Sequence, residues 1–275
     1  MGLFEGKKGL ILGVANDRSI AWGIAKEIMD QGGECGFSHL PDKPDDDRKK
    51  NSRRVNKAID GHPNAKFVEP LNVSDDDQIA AFMEKSKESF GTIDFLVHSI
   101  AFATMDDLSK DTIETSREGF KLAMDISAYS LIAVANAAKP MLNDGAAVLT
   151  MTYFGGERCV PGYNVMGICK AALDASVRYL AHDLGPRRIR VNAISAGPLK
   201  TLASAAVGAK NMLDLYSFVS PIGGRDLEQK DVAKAAAFLL SDMSTAITAE
   251  ILHVDNGYNA MGSPGRLLDH VKADS

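Results

Sequence analysis

Two tyrosines and a lysine stand out, because a phenol and an ammonium can together manage charge on an oxygen. Tyr163 and Lys170 are seven residues apart. At about 100° per residue this is close to two turns, so both fall on one helix face. An ammonium beside a phenol favours the phenolate and can also hold a ribose hydroxyl. Tyr153 follows the apolar run Ala146–Met151, which reads as a strand. A phenol at a strand's carboxyl end can donate to a carbonyl oxygen that gains negative charge. The pair also fits an ordinary amphipathic helix, with the tyrosine packed and the lysine reaching for water. A nucleotide site in the same sheet would favour the chemical reading.

Such a site is suggested near the start of the chain. An apolar run enters Gly13-Val14-Ala15-Asn16-Asp17-Arg18-Ser19-Ile20. A strand turning into a helix through small residues lets backbone N–H groups approach a pyrophosphate. Only Gly13 and Gly23 are glycines here, so G-x-G-x-x-G is not matched. A tight turn with Ser19 capping the helix fits equally well. Asn72-Val73 and Ser99-Ile100 end later strands, where an adenine and a ribose would lie, although these residue types also favour turns. The second strand ends Ser38-His39-Leu40, with neither an acid for a ribose 2′-hydroxyl nor a base for a 2′-phosphate at its tip. The missing base leans toward NADH, with Lys43 the nearest cation.

These residues need a frame. Short apolar runs at Gly9–Leu12, Glu34–Ser38, Lys66–Pro70, Ile93–Val97, Ala146–Met151, Arg190–Ile194 and Glu250–Val254 read as strands. Helix-length stretches separate them: Ala21–Gln31, Asp45–Ile59, Asp75–Phe90, Ile113–Leu142, Tyr163–Leu184 and Glu228–Leu240. The alternation predicts a single doubly wound α/β domain over residues 1–275, with about seven parallel strands flanked by helices. The charged stretch Pro41–Lys57 reads as a solvated helix with an acidic start and basic continuation. Ala196–Val219 breaks the rhythm and predicts a small helical segment at the carboxyl edge, where open α/β sheets bind ligands.

Composition narrows the function. Hydrophobic residues make up 45% and charged residues 24%, ordinary globular usage. Lys and Arg total 31 against 36 Asp and Glu, a net charge of −5, so no nucleic-acid partner is expected. Cys35, Cys159 and Cys169 form no CxxC, so reduced thiols are expected, with no metal and a cytoplasmic location. No apolar run reaches 18 residues, and the first eight lack a signal-peptide pattern, so no membrane span is expected.

Taken together, the motifs resemble the short-chain dehydrogenase/reductase superfamily, and within it the bacterial NADH-dependent enoyl-[acyl-carrier-protein] reductases of type II fatty-acid synthesis. Ordinary members of the superfamily carry Tyr-x3-Lys, but position 167 is glycine. The enoyl reductase branch carries Tyr-x6-Lys with a second tyrosine ten residues upstream, and Tyr163, Lys170 and Tyr153 fit. Gly13 with Ser19-Ile20-Ala21, His98-Ser99-Ile100, Arg117-Glu118-Gly119-Phe120, Tyr163-Asn164-Val165-Met166-Gly167 and Ser195-Ala196-Gly197-Pro198 also match. The chain departs from the branch at Asn72, usually Asp, at Leu40, usually polar, and at Asn256, usually Gly.

The resemblance implies reduction of a trans-2-enoyl thioester on acyl carrier protein by NADH. Hydride would reach the β-carbon and charge would collect on the thioester oxygen. Tyr163 would stabilise that oxygen, Lys170 would hold the nicotinamide ribose, and Tyr153 would donate a proton or shape the acyl pocket. Gly13, Ser19, Ile20, Leu40, Asn72, Val73, Ser99, Ile100, Leu199, Thr201, Leu202 and Ala203 would contact the cofactor. Ala103 and Met166 would join the tyrosines at the substrate. Leu199–Ala206 would form the core of a substrate lid, and Lys200, Lys210, Arg187 and Arg188 would steer the acidic carrier protein. A homotetramer is implied, with Ile251–Val254 and the long apolar helices at subunit contacts.

Two other functions are open. A carbonyl reductase of the superfamily would need a serine thirteen residues before the tyrosine and a lysine four after it, where this chain has Thr150 and Gly167. A nucleotide-sensing regulator on the same fold would need no catalytic residues.

Overall fold

The computed structural model describes residues 2–199, 216–223 and 226–263. Its framework is a seven-stranded sheet: β1 (Lys8–Leu12), β2 (Glu34–His39), β3 (Ala65–Pro70), β4 (Ile93–His98), β5 (Leu142–Thr152), β6 (Arg190–Ala196) and β7 (Ile251–Val254). The order is β3-β2-β1-β4-β5-β6-β7, and every pairing is parallel. The chain thus winds outward from β1 in one direction and from β4 in the other. The crevice between β1 and β4 is the place where such sheets take a ligand.

The strands bury both faces, and alternation sorts their side chains between two cores. Ile11, Phe95, Val97 and Leu149 face one layer, packed by Ile24, Ile28, Val232 and Ala236. Those partners belong to α1 (Ile20–Asp30) and to a late helix, Gln229–Leu240. Leu10, Leu12, Leu96 and Val148 face the other layer, against Phe82, Leu131, Val134, Leu173 and Val177. That layer is built from α3 (Asp76–Phe90), α6 (Ser130–Ala138) and α7 (Asn164–Leu184).

Two predicted helices are corrected. The stretch Asp45–Ile59 becomes helical only as α2 at Lys50–Ile59. Its acids are spent on the entry turn: Asp46 accepts from the Lys50 N–H at 3.1 Å, and Asp42 from the Asn51 N–H at 2.7 Å. The stretch Ile113–Leu142 is not one helix. After α4 (Met105–Ser109) come a 3₁₀ turn, α5 (Arg117–Met124), a π-turn at Asp125–Tyr129, and then α6. Ser116 starts α5 by accepting from the Gly119 N–H at 3.0 Å. Leu142 already belongs to β5. The late helix Gln229–Leu240 becomes α8. Among the described residues, no helix is long and apolar enough to cross a membrane.

Candidate functional site

The β1–α1 turn departs from glycine-rich practice in a readable way. Gly13 has φ +98, and a side chain there would collide with the Ser99 carbonyl oxygen. Glycine therefore allows the end of β1 to press against the end of β4. The rest of the turn is held by Ser19, whose hydroxyl accepts from the N–H groups of Ala15 and Asn16, each at 3.0 Å. Ser19 occupies the N-cap position of α1 without bonding into that helix, which corrects the capping expectation. Its hydroxyl shapes the loop instead of the helix end.

Beside this turn lies a cavity of about 430 Å³. Gly13, Leu40, Asn72, Val73, Ser99 and Ile100, six of the residues expected to contact a cofactor, line it. Ser19 and Ile20 are not in its wall; they sit behind the turn that forms one side. Among the described residues no carboxylate lines the cavity, so none of them repels a phosphate-bearing ligand. Sequence reasoning missed Asn51, Arg54 and Ile126 among its walls. The first two sit on α2, within the charged stretch read as a solvated helix. Their spacing to Val55, four and one residues, puts Asn51 on the face whose only buried residue is Val55, a signal visible in the sequence. Ile126 reaches the cavity because the π-turn interrupts the expected helix there.

The second half of the site sits at the carboxyl ends of β5 and β6. Tyr153 leaves β5, and Tyr163 is the residue just before α7. Their rings meet edge to face with centroids 4.7 Å apart. Burial pushes the Tyr163 phenol above its ordinary value, and pushes Tyr153 up to about 12. Both phenols are therefore protonated donors at neutral pH. This corrects the expectation that Lys170 would favour a phenolate: desolvation of the ring outweighs the distant charge. Tyr153 also packs toward Tyr216, a neighbour the sequence did not suggest. Tyr216 stacks on Tyr258 with centroids 3.8 Å apart, and Phe154 meets Tyr258 edge-on at 5.7 Å.

Lys170 is 4% exposed, and its Nζ donates to the Met151 carbonyl oxygen at 2.8 Å. An ammonium has three N–H groups, so two remain for a ligand among the described residues. Burial lowers its value to about 8, opposed by the Asp174 carboxylate one turn along the helix. Ala103, Met166 and Tyr163 pack with Ala123, Val165 and Cys169, so the two expected substrate residues do sit beside the tyrosine. The Ser127 hydroxyl, on the π-turn, accepts from the Phe102 N–H at 2.9 Å and donates to the Phe102 carbonyl at 3.0 Å. It thus pins the loop that runs from this cavity to Ala103.

Three expectations end differently. Leu199 is buried in the core with residues of α1 and α8. Thr201, Leu202 and Ala203, with Lys200, Lys210 and most of the expected lid, lie outside the described residues. Arg187 and Arg188 precede β6 and so stand at the amino edge, opposite the tyrosines. Arg187 is occupied by Asp144 at 2.8 Å, so this pair does not form a basic rim around the site. Among the described residues, no cluster of potential metal ligands occurs.

A family model described as enoyl-(acyl carrier protein) reductase matches residues 13–259. An NADH-dependent enoyl-[acyl-carrier-protein] reductase of a Nostoc species is 46% identical over 259 residues, covering 94% of this chain and 98% of the relative. The solved enoyl reductase of Anaplasma phagocytophilum, in complex with NAD, superposes with a TM-score of 0.88 at 42% identity, covering 95% of this chain and 97% of that one. That of Bacillus cereus, solved with NADP+ and an indole naphthyridinone, gives 0.89 at 43% identity, covering 96% and 100%.

Proposed function

Because the chain belongs to the enoyl-[acyl-carrier-protein] reductase family, we propose that it reduces the carbon–carbon double bond of a trans-2-enoyl thioester on acyl carrier protein, using NADH. The observation that carries this reading is that two protonated phenols in edge contact, a buried ammonium and a cavity with no carboxylate among its described lining residues all lie at the carboxyl edge of one sheet. The cofactor fits that edge: Gly13 lets backbone approach, and Lys170 keeps N–H groups in hand. NADH, when bound, supplies the hydride.

The chain's own residues do the rest. Lys170 would hold the nicotinamide ribose, a positioning role. Tyr163 donates to the thioester oxygen as negative charge gathers there, and a buried, protonated phenol is suited to that task. Tyr153, held against Tyr163 and Tyr216, shapes the acyl pocket and is the second available proton donor. Ala103 and Met166 line the apolar side. The lid expected at about 196–219 and the cofactor contacts expected of Leu199, Thr201, Leu202 and Ala203 rest on the family resemblance, and residues 200–215 lie outside the described residues.

The same reading takes residues 1–275 as one cytoplasmic domain that works as a homotetramer. Phe120, Leu122, Tyr129, Ile132, Ile168 and Tyr179 remain exposed on α5, the π-turn, α6 and α7, which supports a buried contact between copies. Light scattering at micromolar concentration distinguishes a tetramer from a monomer.

The deciding experiment follows NADH absorbance with a trans-2-enoyl thioester and, separately, a 3-ketoacyl thioester. Consumption with the first and not the second is expected. Consumption only with the ketoacyl compound would assign the protein to carbonyl reduction.

A further inference from the structure

We propose that Asp174 is the positioning residue for Lys170: its buried carboxylate, one turn along α7, keeps the ammonium charged where it meets the cofactor. The proposal rests on the reading that Lys170 holds NADH.

Burying an ammonium is costly unless an opposite charge accompanies it. Lys170 is 4% exposed and Asp174 5%, and a spacing of four places both on one face of α7. Three carboxylates are buried among the described residues: Asp107, Asp174 and Asp255. Asp107 is committed to the entry of α5, accepting from Thr104 Oγ1 at 2.6 Å and the Ser116 N–H at 2.8 Å. Asp255 is committed to a turn, accepting from the N–H groups of Gly257 at 2.9 Å and Asn259 at 2.8 Å. Asp174 makes no such local commitment, and its Oδ1 has no hydrogen-bond donor of normal geometry.

The turn above the pair is shaped to admit the carboxylate. A side chain at Gly156 would lie 2.8 Å from Asp174 Oδ2 and 2.9 Å from the Ala171 nitrogen and the Lys170 carbonyl carbon. Glycine therefore allows the 154–156 turn to close over α7 against the Asp174 carboxylate and the Lys170–Ala171 backbone. The Thr152 hydroxyl stands beside the carboxylate.

The surrounding groups all act on this balance. Desolvation raises Asp174, which Thr152, Lys170 and the exposed Arg178 oppose; Glu157 pushes the same way as burial. Glu157 is itself paired with His253 Nε2 at 2.7 Å. Desolvation lowers Lys170, and Asp174 and Cys169 are what hold it up. His98, in the strand layer, is held neutral by its own burial and by the Lys170 charge. Tyr163 feels Asp174 as a further push upward. Among the described residues Asp174 is thus the main favourable charge acting on Lys170.

The test is the titration of Lys170 in the cofactor-free protein, followed by side-chain NMR and assigned with Lys170→Ala. Asp174→Asn should lower the midpoint by about one pH unit, equal to a tenfold change in the charged fraction above it. Asp174→Glu should restore most of that shift. By reciprocity, Lys170→Ala should raise the Asp174 titration midpoint, which keeps the proposal testable if Asp174→Asn fails to fold. A Lys170 midpoint unmoved in Asp174→Asn, or an Asp174 midpoint unmoved in Lys170→Ala, overturns it. NADH affinity measured against pH by fluorescence should follow the Lys170 midpoint in parent and variant. If the midpoint moves but affinity does not follow, the coupling stands and the assignment of Lys170 to the cofactor falls.

Discussion

At the residue scale, spacing singled out Tyr153, Tyr163 and Lys170, and the structure brings the two phenols into edge-to-face contact and buries Lys170 on the helix that Tyr163 precedes. What spacing could not show is burial, and burial sets the charge states. Both phenols stay protonated, so removing the Tyr163 hydroxyl should remove a donor rather than a base. Tyr163→Phe is expected to slow turnover by about 10²-fold, in the range of losing one oxyanion donor, while NADH titration gives nearly parental affinity. Equal losses in both would contradict the role. Lys170 adds a pH signature. Its folded value lies near 8, below the model-peptide value of 10.5. Its charge is therefore present below about pH 8, and NADH affinity should fall as pH rises through that point. The stability effect has the opposite sign. Between about 8 and 10.5 the unfolded chain binds more protons, so stability rises with pH in that window. Equilibrium unfolding in parallel with binding separates the two.

At the scale of elements, the seven parallel strands followed from apolar periodicity, because a strand covered on both faces has no polar alternation to confuse it; their order came from the structure. Boundaries governed by side-chain capping were not legible. Asp42 and Asp46 delay α2, and Ser116 with Asp107 restarts the chain at α5, through bonds to backbone that a periodicity reading does not see. The π-turn is the same kind of surprise, and it brings both Ile126 to the cavity and Ser127 to the Phe102 backbone. The β1–α1 turn yields the sharpest element-level prediction. Gly13→Ala meets both a positive φ and the Ser99 carbonyl, so β1 and β4 must separate at the crevice. The variant should lose about 2 kcal/mol or more, and its NADH affinity should fall in step. A thermal midpoint within 1 °C or so of the parent would show that the turn relaxes freely.

At the scale of the whole molecule, one buried imidazole links the layers. His98 is 0% exposed at the end of β4; its ring nitrogens lie 3.1 Å from Thr150 Oγ1 on β5 and 2.8 Å from Ser130 Oγ on α6. Burial, and then the Lys170 charge, lower its value to about 3. The unfolded chain takes up that proton near pH 6.5 while the folded one resists, so stability is lost as pH falls below about 6.5 and toward 3. Lowering pH from about 6.5 to about 4.5 should cost roughly 2–3 kcal/mol from this group alone, two units at about 1.4 each. His98→Gln should flatten that part of the profile in urea unfolding. A variant with the parental slope would place the acid sensitivity elsewhere.

The strand order has a consequence for how the chain comes into being. β1 leaves the ribosome before β4, and its register partner on one side, Gly9–Leu12 against Phe95–His98, is made some eighty residues later. Until then the nascent β1 can pair only toward β2, and its other edge is bare. Parallel pairing across such separations is slow and leaves sticky intermediates. The crevice that would receive the nucleotide is thus assembled late, from the first and fourth strands made. Truncated chains ending before β4 should leave that edge of β1 open and depend on chaperones more than chains that include β4, as chaperone pull-down of stalled chains would show.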